Sequence, residues 1–257
     1  MKGLPDRLSK KVEGFSWKQM TIGCSEAKTY FLQGPAYNQY LKIQPANAVE
    51  NLSDEKDRLV WLQGKLAVPE VIDYDNDHQN KYLLMTEVKG INASERVHLA
   101  NVTDLMEQVG AGLQVIHNVN TTGCLFDQTL EIKITEANRR VQNGLADEED
   151  FDWERKGRKA SKLFEELLFK KPSNEDLVFT HGDYCLPNII LNKGEVSGFI
   201  DVGRTGIADR YQDVALAVRS IAFNFGKEYI SYFLEAYGMP DVDETKMDYY
   251  HLMDEFF

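Results

Sequence analysis

Cysteine is scarce in this sequence, and long apolar runs are missing. The three cysteines, Cys24, Cys124 and Cys185, form neither an even set nor a C-x-x-C pair, which argues against a disulfide framework and against a zinc site. No stretch approaches the ~18 uninterrupted apolar residues of a membrane-spanning helix, and the charged start of the chain lacks the apolar core of a signal peptide. We therefore expect a cytoplasmic protein with no membrane partner.

Positive charge is also in short supply. Lys and Arg number 29 against 41 Asp and Glu, a formal net charge of -12, which disfavours nucleic acid and anionic membranes as partners. A cationic ligand suits such a chain better. Many cytosolic proteins are equally acidic for solubility alone, so charge by itself does not decide between the two explanations.

The hydrophobic pattern divides the chain into two regions. The first third has short strand-like runs and one helix over residues 53–66, and the remainder turns helical from about residue 101. Further helices are predicted over residues 131–143, 153–169, 209–224 and 244–256. The pattern predicts an α+β protein with a small β-rich lobe over 1–88 and a larger, mostly helical lobe over 89–257.

A hairpin with polar ends interrupts the helical region. The apolar runs NIIL and VSGFI, separated by residues 192–195, predict two antiparallel strands joined by a four-residue turn. Asn188 begins the first strand and Asp201 ends the second, so their side-chain oxygens would converge. Mg²⁺ takes such hard oxygen ligands alongside substrate phosphates and water. A magnesium-bound nucleotide would fit there, although for this pair alone an ordinary hairpin with solvated ends is the simpler explanation.

The loop before this hairpin, THGDYCLPN, carries another acidic group. Asp183 lies five residues before Asn188, so its carboxylate can point into the same space. There it could orient a substrate hydroxyl and accept its proton as a phosphoryl group arrives. His181 is better explained as a hydrogen-bonding brace, and Gly182 as a relief of backbone strain. Asp213, near the start of the next helix, could tie this loop down.

The order and spacing of these residues resemble a known family. HGDYCLPN followed by GFIDVGRTGIADRYQDVA resembles the antibiotic-kinase form, H-G-D-x-x-x-x-N and I-D-x-G-R, of the protein-kinase signatures. This is the aminoglycoside phosphotransferase family, and the likeness is greatest to the 3′-phosphotransferases, over nearly the whole chain. The resemblance implies a two-lobed, protein-kinase-like fold, with ATP and Mg²⁺ as cofactors.

The resemblance also implies a nucleotide site in the β-rich lobe. Lys42, in the strand QYLKI, would position the phosphates, and Glu55 would hold it from the inward face of a helix capped by Ser53. Tyr40 shares a strand face with Lys42, where its ring could stack on adenine. Further nucleotide contacts are expected from Ser25, Thr86 and Val88.

An acidic site for a polycation is the third expectation from the resemblance. The run LADEEDFDWE would form a loop over the antibiotic, although such runs are usually solvated helix starts. The end of the chain, DEFF, would add carboxylates, including that of Phe257, and Arg204 would brace the acidic groups. The residues expected on the substrate side are Asp152, Glu154, Arg204, Asp254, Glu255 and Phe257.

The sequence therefore predicts a kinase that inactivates aminoglycosides such as kanamycin and neomycin by transferring the γ-phosphoryl group of ATP to their 3′-hydroxyl. Asp183 would be the catalytic residue, and the protein a monomer or weak homodimer. The alternative is a kinase of another small alcohol, of the choline, homoserine, hexose or fructosamine type, for which the acidic substrate side would be superfluous. A non-catalytic pseudokinase is disfavoured because the expected nucleotide, metal and catalytic residues are all retained.

Overall fold

A computed structural model describes residues 3–21 and 26–257 of the chain. They form two compact units, the first made of Met1–Gly90 with Ser197–Gly203 and the second of Ile91–Val196 with Arg204–Phe257. The predicted lobe boundary after residue 88 stays a prediction, and the structure adds that a short distant segment packs with the first unit. No helix among the described residues is both long enough and apolar enough to cross a bilayer.

The first unit is built on an antiparallel sheet with the strand order β1-β2-β3-β5-β4. Its strands are β1 (Ser16–Gln19), β2 (Lys28–Gln33), β3 (Asn38–Pro45), β4 (Val71–Asn76) and β5 (Asn80–Thr86). Helix α1 covers Asp6–Lys11, and helix α2 covers Leu52–Leu62. The sequence pattern predicted β2, β3, β5 and α2 but gave no signal for α1, β1 or β4.

The sheet has two different faces because side chains alternate along each strand. On one face Leu41 of β3 is fully buried in a cluster with Leu8 of α1. On the other face lie Tyr40 and Lys42, with Lys42 opposite Leu83 of β5. Alternation therefore directs the polar side chain of Lys42 away from the apolar core.

Helix α2 turns a carboxylate inward, as its spacing predicted. Glu55, Leu59 and Leu62 are all buried, with relative exposures of 5%, 0% and 0%. The N-cap is Asn51, whose side chain accepts a hydrogen bond from the backbone of Ser53. The expected cap at Ser53 is wrong because the helix begins earlier, at Leu52, where the Asn51 side chain is available to accept this bond.

The second unit is mostly helical. Its helices are α3 (Val102–His117), α4 (Leu130–Gln142), α5 (Ala160–Phe169), α6 (Tyr211–Asn224), α7 (Ile230–Tyr237) and α8 (Glu244–Asp254). Its strands are β6 (Ile91–Asn92), β7 (Leu177–Thr180), β8 (Ile189–Asn192) and β10 (Gly206–Asp209), while β9 (Glu195–Phe199) begins in this unit and continues into the first. Strands β7 and β10 pair antiparallel, as do β6 and β8.

Two local predictions in this region are wrong. The helix expected from residue 153 begins at Ala160, and Gly157 has a φ of 79°, which an α-helix does not accommodate. The turn after β8 has two residues, Lys193 and Gly194, with φ of 55° and 88°. Positive φ at both central positions is the hairpin geometry that matches strand twist, so Asn192 and Glu195 continue the strands instead of forming a four-residue turn.

Candidate active site

Three predicted residues meet in the first unit. The Nζ atom of Lys42 lies 2.7 and 2.8 Å from the two carboxylate oxygens of Glu55, and 2.9 Å from Oδ1 of Asp201. The side chains of Lys42 and Glu55 are 12% and 7% exposed, whereas that of Asp201 is 50% exposed. A nearly buried ion pair therefore ends in a carboxylate that reaches solvent.

The charge on Lys42 is stabilised within this cluster. Burial alone would lower the pKa of Lys42, but the carboxylates of Asp201 and Glu55 outweigh burial and raise it above its ordinary value. A permanent ammonium group at this point can hold anionic oxygen atoms. The pair is worth more as a positioning device than as a source of stability, because desolvation offsets most of the attraction between buried charges.

Asp201 has an uncommon backbone conformation. Its φ is 59°, in the left-handed region that few non-glycine residues adopt. Two residues later, Gly203 packs against Glu55. A Cβ added at Gly203 would lie 3.6 Å from the Cβ of Glu55. Residues held in sparsely populated backbone regions cluster at active sites, so the conformation marks Asp201 as a candidate functional residue.

The surroundings of the other expected nucleotide contacts differ from residue to residue. Tyr40 is partly buried, and its ring centroid lies 5.3 Å from that of Phe31. The backbone N–H of Thr86 already donates to the carbonyl of Glu70, at 3.0 Å, so an adenine contact at this residue would need its carbonyl instead. Val88 packs near Gly198. Ser25 lies outside the described residues, and all of these contacts stay predictions.

The loop with the predicted catalytic residue lies in the second unit. The Nδ2 atom of Asn188 donates to the carbonyl oxygen of Asp183 at 3.0 Å and to its carboxylate Oδ2 at 2.9 Å. The amide group of Asn188 thus fixes the orientation of the Asp183 side chain. The approach of Asn188 to Asp201, which belongs to the other unit, stays a prediction.

Asp213 ties this loop down from α6. Its fully buried carboxylate accepts hydrogen bonds from the backbone N–H groups of His181, at 2.6 Å, and Gly182, at 2.8 Å. Gly182 has a φ of 81°, and an added Cβ would lie 2.2 Å from the carbonyl oxygen of Arg204. Glycine is therefore required, and the expected bracing role of Asp213 is confirmed.

The middle of the loop is anchored by residues for which the sequence motif predicts no role. The hydroxyl group of Tyr184, which is fully buried, donates to the carbonyl of Val109 in α3 at 2.7 Å. The backbone N–H of Leu186 donates to the hydroxyl group of Ser220 in α6 at 3.0 Å. Both partners are distant in sequence, so no local pattern could have revealed these anchors.

Asp152 and Asp254, two of the expected substrate carboxylates, are joined by an arginine. The guanidinium group of Arg219 in α6 lies 3.3 Å from Oδ2 of Asp152 and also donates to Asp254. The side chains of Arg219 and Asp152 remain about one-third exposed, at 35% and 34%. The structure therefore brings two predicted residues together around a cation that the sequence did not single out.

Glu255 belongs to the same acidic cluster but is almost enclosed. Its carboxylate accepts a hydrogen bond from the backbone N–H of Asp152 at 3.1 Å and lies 3.4 Å from Nη1 of Arg155. Burial and the negative charge of Asp152 raise the pKa of Glu255 to about 7. Around neutral pH this group is therefore shared between its charged and uncharged forms.

The remaining substrate-side residues lie in different surroundings. Glu154 is exposed. The backbone oxygen of Phe257 accepts hydrogen bonds from Arg204, at 3.0 Å, and Arg140, at 3.2 Å. Lys133 lies over the Phe257 ring, 4.3 Å from its centroid. Arg204 thus braces the end of the chain, while the substrate roles of Glu154 and Phe257 stay predictions.

The donor set fits a hard divalent cation better than a transition metal. In the described ranges, 3–21 and 26–257, no group of three or more His, Cys, Asp or Glu side chains could hold a metal ion. The residues predicted for Mg²⁺ offer one carboxylate and one amide oxygen, which suits an ion that keeps several waters and substrate oxygens as ligands.

Comparison with known proteins gives the family. Residues 17–250 match the phosphotransferase enzyme family that carries the label APH. The chain belongs to this family. An aminoglycoside 3′-phosphotransferase from Niallia circulans is 40% identical over 220 residues, which cover 85% of this chain and 83% of that protein.

Solved structures agree with this family assignment. A crystal structure of an aminoglycoside 3′-phosphotransferase of type VIII has a TM-score of 0.90 and 34% identity, covering 98% of this chain and 97% of that one. An aminoglycoside phosphotransferase from Streptomyces rimosus, in complex with ADP and streptomycin, has a TM-score of 0.81 and 25% identity, covering 97% and 95%. The predicted family, and the α+β, protein-kinase-like fold, are confirmed.

The family motif predicted some residues of this phosphotransferase's site, and the structure adds others. The resemblance supplied Lys42, Glu55 and Asp183, and the structure joins the first two in one ion pair. It did not supply Arg155 or Arg219, because a motif matched along the sequence does not report ion pairs between distant segments. The acidic cluster consequently carries more neutralising charge than the sequence indicated.

Proposed function

We propose that this protein is an aminoglycoside 3′-phosphotransferase, a kinase that transfers the γ-phosphoryl group of ATP to the 3′-hydroxyl of aminoglycosides such as kanamycin and neomycin and so inactivates them. The observation that carries the proposal is the ion cluster of Lys42, Glu55 and Asp201 in a chain whose Asp183 loop is fixed by Asn188 and Asp213. The 40% identity to a curated 3′-phosphotransferase supports the regiochemistry.

Nucleotide binding is proposed for the face of the sheet that carries Lys42. The ammonium group of Lys42, held by Glu55, would bind the α- and β-phosphates of ATP. The ring of Tyr40, one alternate position earlier in β3, would stack on adenine. Ser25, Thr86 and Val88 would complete the site. The relative solved with ADP and streptomycin supports a nucleotide partner.

Mg²⁺ is proposed as the metal, held by Asp201 and Asn188. The half-exposed carboxylate of Asp201 and the side-chain oxygen of Asn188 are ligands of the type that Mg²⁺ accepts. When bound, the ion would neutralise charge on the phosphate oxygens. Lys42, in contact with Asp201, would limit the free movement of that carboxylate.

Asp183 is proposed as the catalytic residue. Its carboxylate, oriented by the amide of Asn188, would accept a hydrogen bond from the substrate hydroxyl and take up its proton late in a loose transition state. Because the chemistry needs positioning more than base strength, the rigidity of the loop matters as much as the carboxylate itself.

The cationic antibiotic is proposed to bind the acidic cluster of the second unit. Its ammonium groups would contact Asp152, Asp254 and Glu255, with Glu154 and Phe257 as further partners. Arg219 already neutralises part of Asp152 and Asp254, so a substrate ammonium group would add to an existing network or displace this arginine. We also propose that the protein is cytoplasmic, where nucleotide is available, and acts as a monomer or weak homodimer.

ADP release coupled to a reporter enzyme tests the proposal. The purified chain should release ADP from ATP and Mg²⁺ when kanamycin or neomycin is added, and far more slowly without either. Choline, homoserine, a hexose and a fructosamine serve as alternative acceptors. ADP release with one of these and with no aminoglycoside would replace the proposal by the other small-alcohol kinase, while no acceptor-dependent release would leave a non-catalytic nucleotide-binding protein.

A further inference from the structure

A buried chain of polar side chains leads away from the loop that carries Asp183. Nε2 of His117, at the end of α3, lies 3.1 Å from Oδ2 of Asp213, and Nδ1 lies 2.7 Å from the hydroxyl group of Tyr237 in α7. Nη1 of Arg210 lies 2.9 Å from the same hydroxyl group. His117, Tyr237 and Asp213 are 9%, 6% and 0% exposed, so the chain runs through the interior.

The order of the groups fixes the direction of every hydrogen bond. Arginine can only donate, so the hydroxyl oxygen of Tyr237 accepts from Arg210, and an ionised carboxylate can only accept, so Nε2 of His117 donates to Asp213. In a neutral imidazole ring Nδ1 is then the acceptor, and the hydroxyl hydrogen of Tyr237 is directed to it. The network therefore selects one tautomer of His117, the one that supports the carboxylate.

A close helix contact brings Tyr237 within reach of His117. Gly110 lies two turns before His117 on the same face of α3. An added Cβ at Gly110 would lie 2.7 Å from Cβ of Ala236 and 2.8 Å from the backbone nitrogen of Tyr237. The absence of a side chain at Gly110 thus lets α7 approach α3.

The chain ends on the backbone that carries the proposed catalytic residue. Oδ2 of Asp213 accepts both from His117 and from the N–H of His181, while Oδ1 accepts from the N–H of Gly182. Without the donor on His117, this carboxylate would keep its two backbone hydrogen bonds but lose the third contact that fixes its position. A shift of the carboxylate would be passed to the two backbone groups immediately before Asp183.

We propose that Tyr237 and His117 are positioning residues for phosphoryl transfer, acting through Asp213 on the backbone before Asp183. The inference rests on the proposed function, since it concerns the rate of that reaction. Neither side chain is proposed to contact a substrate. They would set the orientation of the Asp183 carboxylate to within the few tenths of an ångström that an in-line transfer requires.

The outer end of the network reaches the surface. Arg210 also pairs with Asp176, with Nε 2.6 Å from Oδ2, and the Asp176 side chain is 56% exposed. This ion pair keeps the guanidinium group oriented towards Tyr237. The proposed effect on turnover comes from the interior of the network, Tyr237 and His117, because an exposed ion pair is screened by solvent.

Replacement of Tyr237 by Phe tests the inference in the full-length protein. It removes one hydroxyl group and leaves the ring, which stacks on Phe233, in place. We expect kcat for kanamycin to fall by about 5- to 20-fold, the equivalent of one or two buried hydrogen bonds expressed in the transition state, with both KM values within about twofold of wild type. Tyr232→Phe, on the same helix but 44% exposed, is the matched control and should keep wild-type kinetics.

His117 provides a second and independent readout. His117→Gln can still present an N–H to Asp213, whereas His117→Leu cannot, so kcat should rank wild type, then Gln, then Leu. In the double variant with Tyr237→Phe and His117→Leu, the fold-loss in kcat should be much less than the product of the two single losses. The two side chains act through the same hydrogen-bonded path, so their effects are not independent.

The outcomes separate the inference from the proposed function. Wild-type kcat in Tyr237→Phe, or a loss that merely follows the fraction of unfolded protein in a thermal melt, would overturn the positioning role. Equal kcat for His117→Gln and His117→Leu would do the same. A wild-type enzyme without aminoglycoside-dependent ADP release would instead overturn the proposed function.

Discussion

Asp213 is a buried carboxylate whose hydrogen bonds hold the loop of the proposed catalytic residue. It is fully buried and would be costly to leave unpaired, yet the backbone N–H groups of His181 and Gly182 and the ring of His117 satisfy it. The same bonds hold the peptide that precedes Asp183. At the scale of single residues, stability and positioning are therefore supplied by the same contacts.

Asp183 is the residue whose replacement should affect turnover most selectively. In Asp183→Asn the side-chain oxygen can still accept from Asn188, so the loop should keep its shape while the proton acceptor is lost. We expect kcat to fall by about 10²- to 10⁴-fold, with nucleotide affinity within about threefold of wild type. Steady-state kinetics and titration with a fluorescent nucleotide measure the two quantities.

The control for this variant is Asp241→Asn, an exposed aspartate before α8. It changes the net charge equally and should leave kcat unchanged. Near-normal turnover in Asp183→Asn would remove this residue from the mechanism.

Gly182 should tolerate no side chain. Gly182→Ala combines a positive φ of 81° with a Cβ only 2.2 Å from a backbone oxygen, so we expect a loss of at least about 2 kcal/mol in the free energy of unfolding, together with lost activity. Gly194→Ala has a similar φ of 88° but no atom within 4 Å, and should cost about 1 kcal/mol. Denaturant titration compares the two, and equal losses would show that the contact with Arg204 does not matter.

At the scale of elements, the loop between β7 and β8 is held from several sides. Tyr184 fastens it to α3, while Ser220 and Asp213 fasten it to α6. The loop therefore behaves as part of the helical core, although its sequence has the glycine and proline of a surface connection. Such anchoring explains how residues on irregular backbone can hold a fixed geometry.

The end of α8 should make stability depend on pH through Glu255. The pKa of Glu255, about 7, lies above its ordinary value of 4.5, so the folded protein holds this proton more tightly than the unfolded chain. The free energy of unfolding should therefore fall as pH rises from about 4.5 to 7. Glu255→Gln, uncharged throughout, should be more stable than wild type at pH 8 by about 1 to 3 kcal/mol, with no difference below pH 4.5.

Denaturant melts across this pH range measure the effect. Glu235→Gln, an exposed glutamate on α7, is the matched control and should follow the wild type at every pH. A parallel pH dependence of wild type and Glu255→Gln would show that folding does not raise the pKa of Glu255.

At the scale of the whole molecule, local sequence patterns predicted which side chains share a face, but not the contacts between residues that are distant in sequence. Helical spacing predicted the inward carboxylate of Glu55, and strand alternation predicted the shared face of Tyr40 and Lys42. The ion pair between Arg219 and Asp152 joins residues that are 67 positions apart, and the pair of His117 and Tyr237 spans 120. Such contacts depend on how helices pack, which a single sequence does not encode at any fixed spacing.

The net charge of -12 acquires a more specific meaning from the structure. Some of the acidic residues form surface ion pairs, as Glu166 does with Lys170 and Arg158. Other acidic residues form one cluster in the second unit. They are Asp152, before α5, and Asp254 and Glu255, at the end of α8. That local concentration, more than the total, is what a polycation would recognise.

Phosphoryl transfer to the 3′-hydroxyl is tested most directly by comparing kanamycin with tobramycin, which lacks that hydroxyl group. With ATP and Mg²⁺ in excess, kcat/KM from ADP release should be high for kanamycin and at least about 100-fold lower for tobramycin. An antibiotic without the 3′-hydroxyl has no oxygen at that position to accept the phosphoryl group. Equal rates with the two antibiotics would contradict transfer to the 3′ position.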